Sequence, residues 1–384
     1  MDHNASAPLL PEARDAIVAA LAVEGNPSSV HAEGRAVRSL VARARADVAG
    51  LVGAEPDTVV FTSGATEAAA TCLTPHWTRD GREANFARLA VLNTDHPCIR
   101  EGGRFQADSV TRLPVKADGV LDLCALDAWL EAGPPGVVAV CAANSETGVL
   151  QPMRAIVERA HAAGSLVVCD AVQMAGRLPL NAAAIGADAL ILSAHKLGGP
   201  KGVGAFVLRS TGQRPAPLLT GGAQETRQRA GTEATALIAG FGAAAMAAAR
   251  SIDDSDRLRG LRERLERGVL ALSPDFSVLG GGAERLPQTA MLHHPALRAE
   301  TAQIAMDLAG IAVSAGSACS SGKVGGSVVL DAMARAGAAI DPDMGGLRVS
   351  FGPRTDEASI DRFLAAFRAF WERTGAAEPA RRVA

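Results

Sequence analysis

Short apolar, β-branched runs alternate along this chain with segments whose apolar residues recur at helical spacing. Residues 58–61, 89–92, 137–141, 166–169, 189–192 and 204–208 read as strands. In segment 153–163, Ile156, Val157 and Ala160 fall on one helical face, with Pro152 before it and Gly164 after it. Strand, helix and strand within about thirty residues make a βαβ unit, so the sheet should be mostly parallel and buried on both faces. Past Ala249 the pattern changes. Leu258, Leu261, Leu265 and Val269 recur at three- and four-residue steps amid Arg and Glu, which predicts a long amphipathic helix.

At 384 residues the chain exceeds one ordinary core. It is expected to form a large domain over 12–250 and a smaller one from 1–11 with 251–384. Lys+Arg number 38 against 41 Asp+Glu, a balance that suggests neither a nucleic-acid nor a membrane partner. The longest apolar stretch, 234–249, is mostly alanine and shorter than the ~20 residues of a membrane span, so it reads as a packed helix. The polar start at Met1–Asp2–His3–Asn4 is unlike a signal peptide, and a reducing cytoplasm is the expected compartment. Six cysteines without a C-x-x-C pair argue against a zinc ribbon or a disulfide framework. Most sit in apolar runs and read as core; Cys319 does not.

Chemistry collects where predicted strands end. After 58–61 come Thr62–Ser63–Gly64–Ala65–Thr66–Glu67, a turn into a helix whose free amides and hydroxyls suit a phosphate, or form only a capping box. Asn144 and Asp170 follow two further strands, at the edge where open α/β sheets bind ligands. Their plainer readings are a turn residue and a helix N-cap. Lys196 closes the strand at 189–192, beside His195 and before Gly198–Gly199–Pro200, and a desolvated lysine is a Schiff-base nucleophile. Lys201 in the same turn reads as solvated. A phosphate turn, an upstream Asp and such a lysine are what pyridoxal phosphate requires. Cys319 lies in a small polar loop, at about 314–326, as a presented thiol or an incidental one. Arg348 sits on an apolar strand and needs an anion, either a substrate carboxylate or an internal Asp or Glu.

In this order the motifs resemble the cysteine desulfurases of the NifS/IscS type, within the fold-type I, class V aminotransferase superfamily. The likeness runs from Asp2–His3–Asn4–Ala5 to about Phe363, and is most specific at Ala194–His195–Lys196–Leu197–Gly198–Gly199 and at Ser317–Ala318–Cys319–Ser320. It implies a seven-stranded, mostly parallel sheet in the large domain and an α+β small domain. It implies pyridoxal 5'-phosphate held by Lys196 as a Schiff base. Asp170 would face the pyridine nitrogen and Gln173 the ring hydroxyl. His96 would stack on the ring and handle substrate protons. Ala65, Thr66, Ser193 and His195 would contact the phosphate, with Thr232 reaching it from the other subunit of a homodimer. Asn144 and Arg348 would hold the carboxylate of L-cysteine, and Cys319 would carry the persulfide to a sulfur-acceptor protein for iron–sulfur cluster assembly or tRNA thiolation. Where the family often has Glu-Pro after the cysteine loop, this chain has Lys323–Val324–Gly325–Gly326. Rival readings are a selenocysteine lyase, a class V aminotransferase, which would have no use for Cys319, or a cofactor-binding scaffold that docks iron–sulfur assembly proteins without turnover.

Overall fold

The computed structural model describes residues 1–316 and 326–374. Its main sheet has seven strands, ordered Val59–Thr62, Gly204–Leu208, Ala189–Ser193, Leu166–Asp170, Val137–Cys141, Leu89–Leu92 and Val110–Leu113. The last five are mutually parallel. Gly204–Leu208 runs antiparallel to both its neighbours, which leaves Val59–Thr62 pointing the same way as the parallel five. All six strands read from the sequence are present. The seventh, Val110–Leu113, escaped the pattern because Thr111 and Arg112 are exposed on the sheet's edge, where polar residues discourage pairing with another chain.

The central strands have no polar face because both faces are covered. Val138, Val140, Val167, Cys169, Leu190 and Leu192 join one core, with helices Ala32–Leu51, Met153–Ala162 and Thr235–Ser251. The alternate residues Val137, Ala139, Leu166, Val168, Ala189 and Ile191 join another, with helix Ala65–Cys72. Helices Thr235–Ser251 and Ser255–Leu270, joined by a 3-10 turn, together hold a stretch long and apolar enough to cross a membrane. Here Ile238, Phe241, Ala244 and Ala245 are buried, and their helix packs against Pro11–Leu21 and Ala32–Leu51.

A second, four-stranded antiparallel sheet is built from Ser277–Val278, Thr289–His293, Leu347–Ser350 and Ser314–Ala315. It packs with the predicted amphipathic helix, through Leu258, Leu261, Leu265 and Val269, and with Phe363, Phe367 and Trp371 of helix Glu357–Arg373.

An N-terminal strip laces the two sheets together. The Ser350 amide donates to the Met1 carbonyl at 3.0 Å, and the His3 amide to the Ser350 carbonyl at 3.1 Å. Asn4, 1 % exposed, donates through its side chain to Thr289 Oγ1 at 3.0 Å. On the other flank Ala7 donates to the His195 carbonyl and Leu10 to that of Gly198. His3 and His195 line this seam. Burial, then nearby positive charge (the N-terminal amine and Arg177 for His3, Lys196 and Lys201 for His195), lowers each to about 4.

Both rings are therefore neutral in the fold and take up protons more readily when unfolded. Their contribution to stability is full above the unfolded value of about 6.5 and is lost as pH falls toward about 4. Thermal unfolding followed from pH 7.5 to 5 should show stability dropping by at most about 1 kcal/mol per pH unit for each ring. In His3→Gln the slope should be shallower; an unchanged slope would remove His3 from this account.

Candidate active site

Five strand ends, at Thr62, Leu92, Cys141, Asp170 and Ser193, open onto one edge of the main sheet, as the strand directions require. Strand order reverses between Leu89–Leu92 and Val137–Cys141, and such a switch point leaves a crevice for ligands.

Asp170 is the last residue of its strand and 6 % exposed. Its Oδ1 accepts from the Val172 amide at 2.9 Å and its Oδ2 from the Cys141 thiol at 3.3 Å. Among the described residues it has no ion-pair partner. A buried carboxylate wants a positive charge, and a protonated pyridine nitrogen would supply one.

Lys196 lies just past the neighbouring strand. Its Nζ donates to the carbonyls of Asn4 at 2.6 Å and Ala5 at 2.8 Å. A cavity of about 430 Å³ adjoins it, lined also by Arg177, Gln288 and Phe351. Lys201 is exposed, as expected of the second lysine in that turn.

The turn at Gly64 opens helix Ala65–Cys72 without a side-chain cap, so the first amides, including those of Ala65 and Thr66, have no partner within the helix. Glu67 reaches back to the Ser63 amide at 2.8 Å and pairs with Arg229 at 3.0 Å, half of the capping-box alternative. Behind the turn stands Gly204. A Cβ there would lie 2.6 Å from the Gly64 carbonyl carbon and 2.8 Å from the Ala65 nitrogen. Beside Gly64 itself there is open space. These uncapped amides, the amine of Lys196 and the carboxylate of Asp170 together fit pyridoxal phosphate. Ser193 is buried at its strand's end, and His195 contacts Ser6 Oγ at 3.4 Å. Thr232 lines a cavity of about 100 Å³ with Thr62, Ser63 and Arg229.

The remaining expected residues are engaged within the chain. The Asn144 side chain donates to the Thr94 carbonyl at 3.1 Å and accepts from the amides of Glu146 and Thr147, both at 3.0 Å, a turn's internal bonding. Gln173 donates to the Asn4 carbonyl at 3.0 Å and accepts from Arg177. Arg348, 3 % exposed, pairs with Asp2 at 2.8 Å and donates to the Ser145 carbonyl and Ser314 Oγ, each at 3.0 Å, while its Nε finds no partner among the described residues. The internal carboxylate that the sequence allowed for is thus Asp2. His96 caps the one-turn helix Pro97–Arg100. Cys319 lies outside the described residues.

Two groups drew no notice in the sequence. Asp95, 3 % exposed, accepts from the amides of Leu92 at 2.8 Å and Cys141 at 3.0 Å, tying together the ends of their strands. Burial, with a smaller push from Asp170, raises it to about 7 against the pull of those amides. Cys141 supplies the thiol on Asp170. Both sit next to residues already singled out, but nothing in their spacing announces these bonds. Of the cysteines read as core, Cys72, Cys141 and Cys169 are buried; Cys98 is partly exposed and Cys124 exposed.

Comparison with known proteins agrees with this geometry. The family model described as "Aminotransferase class-V" matches residues 1–363. A protein named cysteine desulfurase from Cereibacter sphaeroides is 40 % identical over 95 % of this chain and 93 % of its own length. One of the same name from Klebsiella pneumoniae is 37 % identical over 99 % and 94 %. The crystal structure of a NifS-like protein from Rickettsia africae superposes with a TM-score of 0.85 at 28 % identity, covering 97 % of this chain and 98 % of that one. This chain belongs to the class V aminotransferases, pyridoxal-phosphate enzymes of fold type I.

Proposed function

We propose that this protein is a cysteine desulfurase, converting L-cysteine to L-alanine and passing the sulfur to its own Cys319. The observation that carries the reading is the placement of the Lys196 amine and the Asp170 carboxylate, which has no ion-pair partner among the described residues, at the ends of adjacent strands on one sheet edge, beside an uncapped helix N-terminus. The relatives named cysteine desulfurase supply the substrate. Pyridoxal phosphate, when bound, supplies the electron sink that labilises the substrate Cα proton and makes the sulfur electrophilic.

The chain's own groups do the rest. Asp170 keeps the ring nitrogen protonated, and the thiol of Cys141 and the amide of Val172 fix its orientation. The amides of Ala65 and Thr66, with Ser193 and His195, hold the phosphate, and Gln173 faces the ring hydroxyl. Lys196 would hold the cofactor through its amine, and the same amine, when free, would take the substrate Cα proton. To reach either task Nζ must leave the carbonyls of Asn4 and Ala5. Arg348, whose Nε has no hydrogen-bond partner among the described residues, receives the substrate carboxylate with Asn144 beside it in the fold. The Cys319 thiolate would attack the substrate sulfur as the Cβ–S bond breaks, its electron pair passing to the substrate carbon; the sulfur stays on Cys319 as a persulfide, and protonation at Cβ and Cα releases alanine. In this reading 12–250 and 1–11 with 251–384 act as two domains. The working form is a cytoplasmic homodimer in which Thr232 contacts the partner's phosphate, and a sulfur-acceptor protein discharges the persulfide.

Incubation with L-cysteine should yield alanine and sulfide. Borohydride should link the cofactor to Lys196, as read by peptide mapping; an adduct elsewhere would be fatal to the reading. Cys319→Ala should keep the cofactor and lose sulfur release. Gly204→Ala should weaken cofactor affinity about five- to 150-fold, because the new Cβ must displace the phosphate turn, a strain of ~1–3 kcal/mol. Equilibrium titration of apoprotein with pyridoxal phosphate measures it, and wild-type affinity would show that the turn does not hold the phosphate. Arg348→Ala should raise KM for cysteine about ten- to a hundredfold, from the loss of a charged bond. It should also lower the melting temperature, since Asp2 loses its partner. A lower melting temperature with unchanged KM would confine Arg348 to the ion pair.

A further inference from the structure

We propose that Cys98 is a positioning residue for His96, holding the imidazole in the tautomer that presents an Nε2–H to the active site. The inference rests on the reading above for where His96 acts, and on two contacts for its tautomer. The Cys98 backbone amide lies 3.3 Å from His96 Nδ1 and the Cys98 thiol sulfur lies 3.0 Å from the same atom.

The amide decides the assignment. A backbone N–H only donates, and neither rotation nor pH reverses it. Because it points at Nδ1, that nitrogen carries a lone pair, and the neutral ring must bear its proton on Nε2. Toward Nδ1 the thiol then has one role left. A thiolate at 3.0 Å would need a proton on Nδ1, which would collide with the amide hydrogen, so Sγ–H is the second donor to Nδ1.

The local sequence explains why both donors come from one residue. His96 is the N-cap, and Pro97 at the first helical position has no N–H to offer. The first amide available to a capping side chain is that of Cys98. In a helix the side chain leans back toward the N-terminus, so Sγ arrives at the capping atom too. Ile99, fully buried, pins the turn against the core.

Two donors on Nδ1 leave His96 no lone pair to offer from Nε2. The ring meets the substrate as a hydrogen-bond donor, and deprotonating an incoming thiol falls to another group. This narrows the general expectation that His96 handles substrate protons.

The test uses holoenzyme labelled with [15N]histidine, in which His96 is identified among the eight histidines by its loss in His96→Gln. The expected spectrum shows Nδ1 unprotonated and Nε2 bearing the proton. In Cys98→Ala the Nδ1 signal should move as one donor is lost, and kcat should fall about 3–10-fold with KM within about twofold, the effect of one neutral hydrogen bond. Cys98→Ser keeps a donor and should recover to within about twofold of wild type. A protonated Nδ1, or a Ser variant no better than Ala, overturns the proposal. The tautomer is read without turnover, so failure to produce alanine would count against the proposed function and not against this assignment.

Discussion

The Lys196 amine held by the backbone carbonyls of Asn4 and Ala5 is the contact around which the site is arranged. An ammonium withdrawn from water needs acceptors, and carbonyl oxygens provide them without a competing negative charge. The N-terminal strip that carries those carbonyls also receives Gln173 and Arg177 and offers Asp2 to Arg348. One extended segment thus fixes groups drawn from both sheets. Carbonyls are also easily relinquished. A carboxylate in the same place would hold the amine more tightly and oppose its release to a cofactor or substrate.

Charge is distributed unevenly across this edge. Asp170 and Asp95 are buried acids braced by amides and a thiol rather than by cations. Arg177 sits among neutral oxygens, and burial, with Arg348 nearby, lowers it to about 9. Among the described residues Asp170, Asp95 and Arg177 have no ion-pair partner at this edge, whereas Arg348 pairs with Asp2 and Arg229 with Glu67. A fold assembled for stability alone would satisfy such charges internally; leaving them for a ligand suits a binding edge.

The scaffold was legible because burial on both faces writes unbroken apolar runs. Residues 137–141 and 166–169 have no other reading once helix 153–163 separates them. Asp170 and Lys196 could be found because they end such runs. The partners were hidden for a physical reason: they depend on chain reversal, which local pattern does not encode. Nothing near Lys196 points to Asn4, 192 positions away, and nothing near Arg348 points to Asp2, 346 away. Asn144 stands at a strand end, where ligands bind, and its side chain also braces its own turn and the Thr94 carbonyl, bonds that its position did not announce. The thiols of Cys98 and Cys141 were invisible because a cysteine's spacing says nothing about which atom it faces.

The pairing of Met1 and His3 with Ser350 also bears on biosynthesis. A ribosome makes the strip well before the strand Leu347–Ser350, so Met1 and His3 wait for their partner while the other strands of both sheets are made. The main sheet closes with the strand at Gly204–Leu208, well before then. Nascent chains can therefore seat Ala7 and Leu10 against the turn around Lys196 once the main sheet has formed, while the join from Met1 and His3 to the second sheet is made later.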